Sequence, residues 1–268
     1  VSGVDLHSHV LPGVDDGAPD LETSLAMLRL AREGGTSDIV ATSHQHPGRY
    51  PNEPEILRTA FENLSRAAKA AVAAGEDLPR LHLGAEVHLD GDLLELLRRG
   101  RRLRLAGGPW VLLELPDVFP QAPVEQLVFR MQADGLWPLL AHPERIGQFL
   151  RQPEQLLRLV EMGALGQATG SSLCGDFGPP CRDVTVSWLR QGLLHLVASD
   201  AHDLRRRTPD LARARAAARE IFGAASERRW FEERPRAVLE GKPLEVDPPR
   251  PPERARRGIL GRLLRDRD

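Results

Sequence analysis

The chain has two cysteines, Cys174 and Cys181, and that scarcity excludes several chemistries. Two thiols cannot build a disulfide-dense fold or a four-thiolate zinc site. A cysteinyl-phosphate route needs an arginine six residues after the nucleophile, and those two positions hold Pro180 and Ser187. Lysine is almost missing: only Lys69 and Lys242 stand against a large excess of arginine, and the formal net charge is −2. No broad basic footprint for nucleic acid follows from that balance. Aromatic residues make up 4% of the chain, with Tyr50 the sole tyrosine. No apolar run approaches the length of a membrane-spanning helix. The start carries no secretory pattern, and with so little cysteine the expected location is the cytoplasm.

What is present is a strand–helix alternation. The 268 residues suit one α/β barrel with a sizeable core. Seven short apolar runs read as buried strands: Val4–Leu6, Asp38–Thr42, Leu81–Ala85, Trp110–Leu115, Trp137–Ala141, Ala164–Ala168 and Leu194–Ala198. Between them lie helical patterns. Leu21, Leu25 and Leu28 share one stripe, which Gly34-Gly35 stops; Glu53–Ala74 is alanine-rich and ends at Gly75. Val124–Ala133, Glu154–Met162, Val184–Arg190 and Leu211–Phe222 continue the pattern. Such alternation predicts a parallel sheet, and its regularity a closed barrel.

No linker is evident before Asp247, so one domain is expected over residues 1–246, with a Pro/Arg-rich tail over 247–268. The tail opens on a stiff Asp247-Pro-Pro-Arg-Pro-Pro spacer. Beyond it, Ile259, Leu260, Leu263 and Leu264 fall at helical spacing among arginines. The composition favours a solvated tail; the competing reading is a basic amphipathic helix over 254–268 that touches an anionic membrane.

The placement of histidines and carboxylates is the decisive pattern. The first run ends in His7-Ser-His9, and alternate residues of a strand share a face, so both imidazoles can meet one metal ion. The second run leads to His44 and His46, the third to Glu86 and His88, the fourth to Glu114, the fifth to His142, the seventh to Asp200 and His202. In a parallel barrel these strand ends converge on one mouth. Buried carboxylates need compensating cations, and a set of histidine and carboxylate without cysteine suits Mn, Fe or Zn. Asp15-Asp16-Gly17 follows the first strand; either aspartate could reach the metals, with Gly17 easing the turn, or the pair could simply start the next helix. Adjacent divalent ions would activate water and neutralise oxygens in an in-line displacement.

As an ordered set these motifs resemble the PHP family (polymerase and histidinol phosphatase domains). They are most similar to its CpsB/YwqE group of bacterial manganese-dependent protein-tyrosine phosphatases. The resemblance rests on Asp5-Leu-His-Ser-His9, Val14-Asp-Asp-Gly17, Ala41-Thr-Ser-His44, Gly84-Ala-Glu86, Ala141-His-Pro-Glu-Arg145, Gln167 to Phe177 and Ala198-Ser-Asp-Ala-His202, spanning about residues 4 to 245. It implies a distorted seven-stranded (β/α)7 barrel with the metal site at the C-terminal strand ends. It also implies three divalent ions, manganese with iron or zinc as alternatives, held by His7, His9, Asp16, His44, Glu86, Glu114, His142, Asp200 and His202, with Glu86 as a bridge. Arg145 and Arg207 match the family's phosphate-gripping arginines; Arg205 and Arg206 leave the second match open by one or two positions. His46 and His88 depart from the pattern beside the substrate. The implied substrate is the phosphotyrosine cluster of a bacterial tyrosine autokinase that controls capsule or exopolysaccharide synthesis, at the inner face of the membrane. The alternatives are a histidinol-phosphatase-like enzyme for small molecules, a nuclease, and a non-catalytic metal-binding scaffold for a kinase tail.

Overall fold

The computed structural model describes residues 3–251. The amphipathic stretch expected over 254–268 lies outside them. Among the described residues the strands are β1 (Gly3–Ser8), β2 (Thr36–Ala41), β3 (His44–Gln45), β4 (Arg80–Leu83), β5 (Glu86–His88), β6 (Trp110–Glu114), β7 (Trp137–Ala141), β8 (Leu165–Thr169) and β9 (Leu196–Ala198). The helices are α1 (Leu21–Glu33), α2 (Pro54–Ala73), α3 (Leu93–Arg98), α4 (Gln121–Ala133), α5 (Gly147–Arg151), α6 (Pro153–Glu161), α7 (Gly170–Cys174), α8 (Pro179–Gln191), α9 (Ala212–Phe222), α10 (Ala224–Arg228) and α11 (Arg234–Leu239), with a π-helical segment at Arg229–Glu233. Each of the seven predicted runs becomes strand. The short helices α3, α5, α7, α10 and α11 carry too few turns for a periodic signal.

All pairings are parallel, in two sheets ordered β1-β2-β4 and β3-β5-β6-β7-β8-β9. The expected single closed sheet is therefore divided, because a short separate strand, β3 or β5, follows each of the second and third runs and belongs to the other sheet. Backbone bonds from Gly84 N–H to Ala41 O and from Glu86 N–H to Thr42 O bridge the breaks. Leu105, fully buried, is packed against this break: a Cβ on Gly84 would stand 3.1 Å from its Cδ2. The far edges also meet, through Asp200 N–H to His7 O and His9 N–H to Ala201 O.

Strand alternation builds two cores. Leu6, Val40, Leu112, Leu139 and Leu196 face inward and pack with Leu105 and Val238. Their neighbours Ile39, Val111, Leu113, Leu140 and Val197 face outward, against the helices. Helix α2 buries Leu57, Ala60, Leu64 and Ala68, one stripe at helical spacing. Each fully buried leucine contributes about 1.5–3 kcal/mol. Asp20 caps α1 by accepting from Thr23 N–H at 2.8 Å, and Gly34 ends it. The start of the expected tail is held: Arg250 N–H donates to Gln191 O at 2.7 Å.

Candidate metal centre

His7 lies at the end of β1 and His9 just beyond it. Val4 and Leu6 of the same strand pack inward, yet both histidines, of opposite parity, reach the centre. The β1–β2 register shifts between Asp5 and Ser8, which lets the strand change face. His7 Nε2 and His9 Nε2 stand 3.2 Å apart. Both approach Glu86 Oε2, at 3.3 and 3.4 Å, and Asp200 Oδ1, at 3.3 and 3.6 Å. His44 Nδ1 is 3.0 Å from Glu86 Oε2 and 3.6 Å from Glu114 Oε2. His142 Nε2 is 3.0 Å from Glu86 Oε1. Asp16 sits 3.5 Å from His44 Nε2 and 3.6 Å from His202 Nε2.

Three groups have donor atoms mutually within 4.8 Å: His9–Asp16–His44–His202, His7–His9–Asp200, and His44–Glu86–Glu114. His142 joins them through Glu86. The hydrogen bonds select the tautomers this requires. His7 Nδ1–H donates to Gln167 Oε1 at 2.8 Å, His9 Nδ1–H to Asp15 Oδ2 at 2.9 Å, and His202 Nδ1–H to the Asp200 carbonyl at 2.9 Å. Each bond leaves the Nε2 lone pair pointing into the cluster, as a metal ligand needs. Glu86 Oε2, Asp200 Oδ1 and His44 Nδ1 are buried without hydrogen-bond partners among the described residues. A set of inward lone pairs on buried carboxylates and neutral imidazoles fits divalent cations.

The electrostatics agree. Burial opposes charge on Glu86, but His7, His142 and His44 outweigh it and hold the carboxyl well below its ordinary value. Burial likewise opposes charge on Asp200, and His7, His9 and Arg207 hold it well below. His9 is buried, yet Asp15 lifts it well above its usual value, so a divalent ion at Nε2 would have to displace a proton. Two of these residues are strained: His142 has φ 35°, directly after β7, and Asp200 has φ 54°, two residues after β9. A non-glycine in that region costs about 1–3 kcal/mol, a cost typical of functional sites.

Arg145 Nη1 donates to Asp200 Oδ2 at 2.6 Å and Arg207 Nη2 to the same oxygen at 2.5 Å. Both arginines line a cavity of about 520 Å³ over the cluster, together with His46, His88 and Glu114. The rings of His46 and His88 stack at 3.9 Å, and His88 Nδ1 is 3.3 Å from Glu114 Oε2. Arg205 and Arg206 are exposed, with backbone N–H groups tied to Asp203, and are not among the residues that line the cavity.

The capsular polysaccharide synthesis family CpsB/CapC matches residues 3–240. The chain belongs to that family. This CpsB/CapC chain is 36% identical over 206 residues to the tyrosine-protein phosphatase YwqE of Bacillus subtilis, covering 76% of this chain and 79% of that protein. It is 29% identical over 241 residues to the tyrosine-protein phosphatase CpsB of Streptococcus agalactiae serotype III, covering 88% and 98%. Solved structures of YwqE from B. subtilis and CpsB from Streptococcus pneumoniae, described as unique metal-dependent tyrosine phosphatases, include a chain that superposes with TM-score 0.88 at 32% identity. That match covers 94% of this chain and 100% of the other.

Sequence reasoning missed several residues of this CpsB/CapC centre. Gln167 looked merely polar, although a glutamine inside the apolar run Ala164–Ala168 was a signal. Asp15, one of the two aspartates left open by the sequence, takes a supporting role: it orients His9 and accepts from His44 N–H at 3.0 Å. Tyr50 stacks on His44 with ring centroids 5.3 Å apart, and Phe177 lies 4.7 Å beneath the Arg145 guanidinium. Tyr50 follows His44 closely but a lone tyrosine carries no periodic signal, and Phe177 is remote from Arg145 in sequence.

Proposed function

We propose that the chain is a metal-dependent protein-tyrosine phosphatase. The observation that carries this reading is the pair Arg145 and Arg207, both on Asp200 Oδ2, at the edge of a cluster rich in histidine and carboxylate. The relatives named as tyrosine phosphatases favour the same reading. The proposed ligands are His7, His9, Asp16, His44, Glu86, Glu114, His142, Asp200 and His202, with Glu86 shared, for three divalent ions, manganese in first place. When bound, such ions supply Lewis-acid polarisation of the phosphoryl oxygens and lower the pKa of water.

The chain's own residues do the rest. The Arg145 and Arg207 guanidinium groups offer planar donors to phosphoryl oxygens as charge builds on them. Asp200 holds both in place and Phe177 braces the face of Arg145. Gln167 and Asp15 fix the imidazole orientations. Tyrosinate is a fair leaving group, since tyrosine's pKa is about 10, so a strong general acid is not required. We further propose that the seven runs close as a distorted (β/α)7 barrel, in line with the backbone bonds between β1 and the loop after β9. The proposed substrate is phosphotyrosine on a bacterial tyrosine kinase of capsule synthesis, met in the cytoplasm at the membrane face. No helix among the described residues is long and apolar enough to cross a membrane. Parallel assays with a phosphotyrosine peptide and histidinol phosphate, with and without manganese, test this. Peptide turnover that needs manganese and collapses in His142→Ala is expected; preference for histidinol phosphate or full activity of His142→Ala would defeat it.

A further inference from the structure

A second cavity lies at the opposite end of the strands. It is about 240 Å³ and borders His195, the residue just before β9, whereas Asp200 and His202 follow that strand. Four arginines from four segments line it: Arg190 of α8, Arg229 of the π-helical segment, Arg234 of α11, and Arg250 of the C-terminal segment. The one carboxylate among the lining residues is Asp247. No carboxylate of the described residues forms an ion pair with any of the four. Other arginines of the chain, such as Arg29, Arg98 and Arg215, each grip a carboxylate. Burial and the neighbouring Arg229 push Arg234 below its ordinary value, against the smaller opposing pull of Asp247 and Glu233.

Arg234 Nη1 donates to the His195 carbonyl at 2.8 Å, but two buried polar atoms of the cavity lack partners. Gly166 N–H donates to His195 Nδ1 at 3.0 Å, so the proton of a neutral ring must sit on Nε2. Burial and Arg234 push this imidazole down to about 3, which keeps it neutral. His195 is 1% exposed, and its Nε2 has no hydrogen-bond partner. A buried donor without an acceptor is destabilising unless a ligand supplies one. Gln191 Oε1 is likewise buried without a partner, which suits an oxygen that bears a hydroxyl proton. Phe222 packs edge-on to Trp230 and lies beneath Arg190, so the cavity has an aromatic wall that keeps the arginine extended.

We infer that this cavity binds a small phosphate-bearing anion, of the phosphate or pyrophosphate class, separately from the metal centre. Four guanidinium groups around one donor imidazole match the fork geometry of phosphate oxygens. The cavity volume admits such an anion but not a protein segment.

Calorimetric titration of inorganic phosphate into the metal-loaded full chain, at constant ionic strength, tests the inference. Two binding events are expected. One should survive Arg145→Ala and weaken by about tenfold or more in Arg190→Gln/Arg229→Gln, the loss expected for removing charge-assisted hydrogen bonds. That double variant should keep its melting temperature and its peptide turnover. Arg250→Gln, which touches only the C-terminal segment, should weaken the same event. A single event that Arg145→Ala abolishes and the cavity variants leave intact would overturn the site. Sedimentation with vesicles containing phosphatidic acid, against phosphatidylcholine alone, separates a lipid headgroup from a free anion. Vesicle binding that depends on these arginines, without a soluble phosphate event, would also overturn it.

Discussion

Replacing Gly17 with alanine should disable the metal centre while leaving the fold intact. A Cβ at this position would stand 2.1 Å from His9 O and 2.5 Å from His9 Cβ. Ordinary contacts begin near 3.4 Å, so one backbone must move by more than about 1 Å, and neither is the free end of a flexible side chain. The His9 backbone is fixed by its own N–H to Ala201 O and by Ala18 N–H to its carbonyl. The loop that carries Asp15 and Asp16 must therefore yield. A shift of that size breaks the 2.9 Å bond from His9 Nδ1 to Asp15 Oδ2 and draws Asp16 away from His44 and His202. The lost charge-assisted bond is worth about 1.5–3 kcal/mol, which corresponds to roughly 10- to 100-fold in metal affinity. Manganese titration followed by activity on a phosphotyrosine peptide reads this directly, with circular dichroism as the control for folding. Wild-type manganese dependence in Gly17→Ala would refute the proposed coupling between loop and centre.

Asp15→Ala should itself weaken metal affinity by about 10- to 100-fold, because His9 loses its orienting partner although no ligand is removed; unchanged affinity in a metal competition assay would count against that role. Arg145→Ala and Arg207→Ala should each lower kcat/KM by about 10²–10³. Since both donate to Asp200 Oδ2, the double variant should lose less than the product of the two, and fully multiplicative losses would argue against a shared anchor. Buried His195 predicts acid sensitivity. Its folded value of about 3 lies below the ordinary imidazole value of 6.5, so the unfolded chain binds the extra proton between them. Stability is fully present above about 6.5 and falls toward pH 3 by up to roughly 5 kcal/mol. His195→Asn, whose Oδ1 can accept from Gly166 N–H, should flatten that slope in urea unfolding at pH 7 and pH 4; an unchanged slope would show that other groups set it.

Much of the fold was legible because strand runs and helical stripes are local patterns. Trp137–Ala141 and Ala164–Ala168 could be read residue by residue from apolar content and flanking turns. The breaks after Ala41 and Leu83 could not be. Leu105, remote in sequence from both, packs close to Gly84 there. Gly17 illustrates a right residue with a wrong reason. Sequence suggested conformational freedom for a turn, but its φ is not in the left-handed region, and close approach to the His9 backbone is what excludes a side chain. The Asp15-Asp16 pair was ambiguous for the same cause. Neighbouring carboxylates look equivalent in sequence, and only the loop's path turns Asp15 toward His9 Nδ1 and Asp16 toward His44 and His202.

By itself, the sequence determined that histidines and carboxylates stand at the ends of parallel strands, since a helix between successive strands makes them run the same way and brings the same ends together. Tertiary structure decided the rest: which imidazole nitrogen faces the cluster, that Arg145 and Arg207 share one carboxylate oxygen, and that four arginines from four segments gather around His195. Those outcomes turn on distances of a few ångströms between residues far apart in the chain, which no local spacing encodes.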